Sequence, residues 1–348
     1  MLRTWVMAPR ATLGCLLLIV WSVTPVEVVG AEVAVTDLGV LGGNWALKMP
    51  NGSAGWMTLS VRDGALYGEL WTVGSPKRLT QLKLQGKALH FQRKCRVGKP
   101  EFPGGPPSGD RVACQHVATS DGKTIRVVMH QPTGDGQLQE VAFHGKRLSP
   151  LPPRPNLAQL KFGPPIQLFN GRDLTGWKLT NDRQLNGWKA LDGVLVNTTP
   201  KLDFQPYSRY GNLRTVRAFT DFRLEIDFRV PPGGNSGIYL RGMYEAQVVD
   251  RDSKMQGIHG VGAIFGRIAP RNNAGRAGGQ WQHYDIILVD RHVTVVLNGT
   301  KVIDNQPIPG CTNGALQADE SLPGPLYLQG DHTAVSYRNI ILHPILKD

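Results

Sequence analysis

The chain has 348 residues, 41% of them hydrophobic, with 41 glycines, 25 prolines and a net charge of +12. That length suits two domains with real cores, and so much glycine and proline suits many turns in an all-β protein more than long helices. The lysines and arginines are scattered, with no basic run of five and no aromatic-interleaved basic motif, so the positive charge reads as a solvated surface and not as a nucleic-acid site.

In chain order, Arg3 and Arg10 flank the start of "ATLGCLLLIVWSV" (11–23), and Val29 and Ala31 supply small residues at a cleavage site. This predicts a signal peptide over 1–31. The rival is a membrane anchor, but the apolar run is shorter than the ~20 residues a spanning helix needs. A lipoprotein reading of Cys15 is weaker, because most of the apolar run follows the cysteine. Past residue 31 no segment could span a membrane. The expectation is an exported protein, periplasmic or extracellular.

Residues 32–149 read as an antiparallel β-barrel. "WALKM", "GWMTLSVRD", "ALYGELWTV", "RLTQLKLQ", "ALHFQRKCR", "RVACQHVA", "TIRVVMHQ" and "LQEVAFHG" are separated by turn residues. "GNWAL" (43–47) resembles the Gly-x-Trp opening of lipocalin-like barrels. Cys95 and Cys114 flank a Pro/Gly-rich loop and are expected to form a disulfide worth about 3 kcal/mol. Cys311 is expected to be a free thiol, and no Cys/His spacing suggests zinc. Residues 150–162 are proline-rich and read as a semi-rigid linker.

Residues 163–348 are again β-rich. Turn chemistry is clearest at "LNGTKV", where Asn298-Gly299 predicts a type I′ hairpin. "FRLEIDFRV", "SGIYLR", "YEAQVVD", "GAIFGRI", "QHYDIILVD", "HVTVVLNG", "TKVIDN", "PLYLQGD" and "VSYRNIILHP" are the expected strands, and a jelly-roll sandwich is the expected architecture. In "GGNSGIYLRGMYEAQVVD" (233–250), Ile238, Leu240, Tyr244, Ala246 and Val248 alternate with a polar set that includes Tyr239, Arg241, Glu245 and Gln247. In "PLYLQGDHT" (325–333), Leu326 and Leu328 point one way and Tyr327, Gln329 and Asp331 the other, with His332 next. Two such faces form either a sugar-binding groove or an ordinary solvated surface.

"IQLFNGRDLTGWK" (166–178), "WKALDGVLVN" (188–197), "DFRLEIDFRV" (221–230), the 233–250 segment, "GQWQHYDIILV", "VVLNGTKVIDNQPIPG" and "GPLYLQGDHTAVSYRNIIL" follow in that order. Together they resemble the 3-keto-disaccharide hydrolase domain family over about 163–345. The resemblance implies a concanavalin A-like sandwich acting on glycosides already oxidised at sugar C3. A C3 ketone acidifies the C2 proton, a base removes it, the C1 substituent leaves, and water adds. The matching positions offer Glu245 as base or metal ligand, and His332 as general acid or ligand beside Asp331. Arg241 would polarise the ketone. Asn235, Gln247 and Gln329 would bind hydroxyls, with Asp250 and His259 completing the site or a divalent metal, and Tyr239 or Trp281 stacking on a sugar ring. No compact ligand motif exists, so metal stays open and unassigned.

The bland readings stand beside these: a turn role for Asn235, an Arg241–Glu245 structural pair, core packing for Trp281, a loop role for His259. Phe265 stands where the family pattern leads one to expect tyrosine, and Thr333 where glycine is expected. The implied partners are a carbohydrate and an upstream sugar 3-oxidoreductase. The alternatives are a non-catalytic carbohydrate-binding protein of the cell envelope and a surface scaffold.

Overall fold

The computed structural model describes residues 38–49, 52–72, 76–96, 109–133, 137–200 and 210–347. The expected signal peptide lies outside the described residues. Among them the only helical turns are the 3-10 segments Gly39–Leu41, Leu157–Gln159 and Gly257–His259. No helix of the described residues is long and apolar enough to cross a membrane. The fold is all-β.

The first nine strands are β1 (Gly43–Lys48), β2 (Ala54–Arg62), β3 (Ala65–Trp71), β4 (Lys77–Arg78), β5 (Thr80–Gln85), β6 (Ala88–Arg96), β7 (Arg111–Ser120), β8 (Thr124–Pro132) and β9 (Leu138–Arg147). They pair in the order β4-β3-β2-β1-β9-β8-β7-β6-β5. The sheet curls round because β4 and β5 are one bent stretch. β4 pairs with β3, β5 pairs with β6, and Leu79 N between them donates to Gly68 O at 2.9 Å. Joining the two ends protects the sheet edges. Alternation places Trp45, Met57, Leu59, Leu70, Leu89, Phe91 and Val127 in a buried cluster. Trp45, the tryptophan of the GNW opening, donates Nε1 to Leu41 O at 3.0 Å, and the Arg147 guanidinium lies 4.3 Å over its ring.

The expected disulfide is corrected here: Cys95 and Cys114 are free thiols. In the β6–β7 register Cys95 faces Val112 and Cys114 faces Arg93. The two cysteines are therefore diagonal neighbours. Such pairs sit about 7–8 Å apart, beyond the Cα separation of about 4.4–6.8 Å that a disulfide spans. Burial, with Cys95 alongside, pushes the Cys114 thiol up to about 12. Cys311 is a buried free thiol, also pushed up to about 12 by burial.

The second half forms two sheets from β10 (Lys161–Phe162), β11 (Ile166–Gln167), β12 (Trp177–Leu179), β13 (Trp188–Leu191), β14 (Val194–Asn197), β15 (Leu213–Phe219), β16 (Phe222–Arg229), β17 (Asn235–Leu240), β18 (Tyr244–Val249), β19 (Gln282–Val289), β20 (His292–Leu297), β21 (Thr300–Pro307), β22 (Gly324–Leu328) and β23 (Val335–Leu346). One sheet runs β13-β14-β23-β16-β19-β20-β21, with β10 and β11 both on β23. The other runs β12-β15-β22-β17-β18. The chain crosses between them from β15 to β16, from β18 to β19 and from β22 to β23, as a jelly-roll sandwich requires. Phe222, Leu224, Ile226 and Phe228 of the first sheet share one buried cluster with Ile238, Leu240, Ala246, Val248, Leu326 and Leu328 of the second.

The β20–β21 hairpin turns on Asn298 (φ 51°) and Gly299 (φ 83°), the left-handed pair of a type I′ turn. "GAIFGRI" is not a strand. Gly262 (φ 89°) and Gly266 (φ 66°) break it into turns, and it touches β18 only through the isolated Ala246–Ile264 bridge and neighbouring hydrogen bonds. The proline-rich stretch is strapped to the sandwich: Arg154 Nη2 donates to Asp304 O at 3.1 Å, and Asn305 Nδ2 to Pro155 O at 2.8 Å. Trp56 and Trp71 of the barrel belong to the sandwich's apolar cluster, so the two halves share packing.

Candidate active site

Strand register builds the site. On the outer face of the five-stranded sheet, Tyr239 of β17 stands opposite Glu245 of β18 on one side and Tyr327 of β22 on the other. Gly237 stands opposite Gln247 one pleat along. Gly237 lacks a side chain, and the Glu245 carboxyl lies in that space: a Cβ built on Gly237 would collide with Oε1. The two tyrosine rings stack at 4.2 Å and 14°.

Glu245 is 4% exposed. Burial pushes its carboxyl up from the ordinary 4.5 to about 8; the Tyr239 hydroxyl opposes the shift and the Asp331 charge adds to it. The Tyr239 hydroxyl donates to Asn313 O at 2.8 Å. The same hydroxyl also lies against the Glu245 carboxyl, where a hydrogen bond from it favours the ionised form and so opposes the effect of burial. Burial also raises both phenols, Tyr239 and Tyr327, well above their ordinary value. The backbone of Glu245 is fixed from both sides. Its N–H donates to Thr312 Oγ1 at 2.9 Å, and its carbonyl accepts from Phe265 N at 2.9 Å.

The loop after β22 brings in a carboxylate and an imidazole, Asp331 and His332. His332 Nδ1 lies 2.5 Å from Asp331 Oδ1, and both side chains are partly exposed, at 25% and 16%. A carboxylate at Nδ1 selects the tautomer whose Nε2 is the other reactive atom. Asn212 Nδ2 holds Asp331 Oδ2 at 3.3 Å and Tyr327 Oη at 2.8 Å, while its Oδ1 accepts from Gly330 N at 2.7 Å. Gln247 Nε2 donates to Asn235 Oδ1 at 3.1 Å, and Gln329 Nε2 lies 3.5 Å from Tyr239 Oη. The Oε1 atoms of Gln247 and Gln329 are buried with no hydrogen-bond partner among the described residues. Thr333, the departure noted in the sequence, accepts from Asn235 N and donates to Asn235 O, both at 2.9 Å, and so fixes Asn235.

The structure thus gathers Glu245, His332, Asp331, Tyr239, Gln247, Gln329 and Asn235. Four candidates stand in other settings. Arg241, at φ 55° in the β17–β18 turn, leaves the strand alternation and donates Nη2 to Glu320 O at 2.8 Å and to Leu322 O. Asp250 is a backbone clamp, accepting from Gly233 N at 2.7 Å and Gly278 N at 2.9 Å. Trp281 lies between the guanidiniums of Arg338 (4.1 Å) and Arg229 (4.8 Å), which extend from β23 and β16 of the opposite sheet. His259 packs on Phe265, with ring centroids 4.8 Å apart. It therefore sits beside the segment that holds the Glu245 carbonyl. Sequence reading missed Asn212, which lies in a turn before β15 with no alternation to mark it, and Gly237, whose contribution is the absence of a side chain. Among the described residues no group of three His, Cys, Asp or Glu side chains is placed to hold a metal ion.

The family model described as a 3-keto-alpha-glucoside-1,2-lyase-like domain matches residues 164–343. The chain belongs to this family. The 3-keto-glucoside lyase-like match takes in both sandwich sheets and every residue of the cluster. Among solved structures, a protein designated a glycosyl hydrolase from Parabacteroides distasonis ATCC 8503 is 28% identical, covering 57% of this chain and 94% of that one, with a TM-score of 0.41. A second from the same organism is 22% identical, covering 53% and 94%, with a TM-score of 0.41. SCLam, a non-specific endo-beta-1,3(4)-glucanase from family GH16, is 12% identical, covering 57% and 91%, with a TM-score of 0.31. A comparison with curated proteins gives no match.

Proposed function

We propose that this is an exported enzyme that cleaves 3-keto-glycosides by C2 proton abstraction and elimination, followed by hydration. The observation that carries the reading is the pairing on one sheet face of a buried carboxyl, Glu245, with the Asp331–His332 couple. Buried and partnerless amide oxygens on Gln247 and Gln329 supply acceptors for sugar hydroxyls. The basic-then-apolar N-terminal segment supports export.

In this reaction the Glu245 carboxylate takes the C2 proton. The C2–H electron pair forms C2=C3, and the charge moves to the C3 oxygen. The amide N–H of Gln329 is the neighbouring donor for that oxygen, in place of Arg241, which holds a loop. Collapse of the enolate restores C3=O, forms C1=C2 and breaks the C1–O bond. His332, doubly protonated with Asp331 accepting at Nδ1, gives the Nε2 proton to the departing oxygen and is left as the neutral imidazole with its proton on Nδ1. Water then adds across C1=C2, which makes the net change hydrolysis. The substrate implies an upstream enzyme that oxidises sugar C3.

A carboxylate with its proton affinity raised to about 8 is a stronger base than an ordinary glutamate, at the cost of being about one-tenth ionised at pH 7. The rising limb of kcat/KM is therefore expected to have its midpoint near pH 8. The test is aglycone release from a 3-keto aryl glucoside and from its unoxidised parent, with the Glu245→Gln variant alongside and with and without chelator. Release from the keto form alone, reduced to a small residual rate in the variant, supports the mechanism. Saturable glycan binding without release from either would replace it with the carbohydrate-binding reading.

A further inference from the structure

Arg267 lies at the junction of barrel and sandwich. Its guanidinium is 3.9 Å from the ring of Trp71 and 4.6 Å from that of Trp56. These tryptophans face each other across β2 and β3 and are 2% and 3% exposed. No carboxylate stands within ion-pair distance of Arg267 among the described residues. The cation is held by two indole faces and by Cys311 O, which accepts from Nη2 at 2.8 Å and Nε at 3.3 Å.

Both segments that Arg267 joins grip Glu245. Two residues before it, Phe265 N donates to the Glu245 carbonyl at 2.9 Å. One residue past its Cys311 acceptor, Thr312 Oγ1 receives Glu245 N at 2.9 Å, and the next residue, Asn313, takes the Tyr239 hydroxyl at 2.8 Å. Gly310 comes so close to Trp56 that a Cβ there would overlap the indole, and Gly314 comes similarly close to the Tyr239 hydroxyl. The barrel, the 310–314 loop and the catalytic carboxyl form one chain of contacts.

Resting on the reading of Glu245 as the base, we propose that the barrel is part of the catalytic unit: Trp56 and Trp71 clamp Arg267, and Arg267 is the positioning residue that sets Glu245 and Tyr239. A buried cation without a carboxylate is costly to keep, and its guanidinium is pushed down to about 10 by burial. Its place is explained by what it ties together.

The test uses the full chain with Arg267→Lys and Trp71→Ala, and with Arg267→Met and Trp71→Phe as the second of each pair. Lysine keeps the charge but cannot bridge the indoles and Cys311 O with a planar fork. Expected for Arg267→Lys and Trp71→Ala is a loss of kcat of about tenfold or more with little change in KM, partly restored in Trp71→Phe. In a Glu245→Gln background neither change lowers the residual rate further. A second readout does not need turnover: the 13C resonance of the Glu245 carboxyl, identified by its absence in Glu245→Gln, is titrated by NMR. Its midpoint near 8 is expected to fall toward the ordinary glutamate range when the clamp is loosened and water enters. If wild type cleaves no 3-keto glycoside but the midpoint moves, the functional reading fails and the coupling stands. An unmoved midpoint in both folded variants, or losses that add fully in the Glu245→Gln background, overturns the proposal.

Discussion

The raised proton affinity of the buried Glu245 carboxyl carries a stability cost whose sign follows from proton linkage. Its folded carboxyl binds a proton up to about pH 8, while the unfolded one releases it near the ordinary 4.5. Between these values the folded state holds the extra proton, so stability falls as pH rises, by about 1.4 kcal/mol per pH unit, and is level above about 8. Glu245→Gln removes the titrating group, and its amide can still hydrogen-bond the Tyr239 hydroxyl. The variant is therefore expected to match wild type near pH 4.5 and to exceed it by several kcal/mol at pH 8 and above. Urea midpoints measured from pH 5 to 9 check this. Parallel curves for the two proteins would mean that the carboxyl is not held protonated by the fold. An inactive variant that gains stability is the pattern of a site built against folding interests.

At the level of strands, the β17–β18 hairpin places Tyr239, Glu245 and Gln247 by register, and Gly237 is where that register is most constrained. Its backbone is ordinary extended strand, so alanine fits the conformation, yet the new methyl would occupy the space of the Glu245 carboxyl. Gly237→Ala is expected to keep the melting temperature within a few degrees while lowering kcat by about ten- to a hundredfold, since misplacement of about 1 Å costs that much. Unchanged kcat would show that the carboxyl works from another position.

The same hairpin shows what was legible beforehand. Period-two alternation marked β17, β18 and β22 and their polar faces, because one face must be buried. It misassigned Arg241, since a residue at φ 55° in the turn no longer obeys the alternation. Trp281 was misplaced for another reason: alternation tells inside from outside but not which of two sheets a strand joins. "GAIFGRI" looked like a strand by composition, but its glycines permit the turns that bring Phe265 onto Glu245. The short strands β12 to β14 carry little pattern, and Asn212 lies one residue before β15 begins, so it went unmarked. Cys95 and Cys114 looked paired because spacing along the chain does not reveal a diagonal register.

At the scale of domains, barrel and sandwich fall within a single compact unit, Val35–Asp348. Besides the tryptophans, a buried ion pair joins them. Arg291 Nη1 donates to Glu320 Oε2 at 2.8 Å, with the side chains 10% and 3% exposed. Arg291 Nη2 donates to Ser149 O at 3.1 Å and to Pro150 O, at the exit from the barrel. Glu320 Oε1 accepts from Tyr244 Oη at 2.7 Å and Gly310 N at 3.1 Å, in the loop that reaches the active site. Removing the arginine alone strands a buried carboxylate, a loss of about 3–5 kcal/mol, whereas removing both charges costs much less. Wild type is expected to unfold in one calorimetric transition. Arg291→Met should lower its midpoint sharply and split off an earlier barrel transition, because the carbonyls of Ser149 and Pro150 lose their donor. Adding Glu320→Gln should restore most of the midpoint, since the uncompensated charge is gone, without rejoining the transitions, since the barrel exit stays unheld. Two transitions already present in wild type would show that the shared core does not couple the halves. The barrel would then be an independent domain, and its hold on the 310–314 loop too weak to position a catalytic carboxyl.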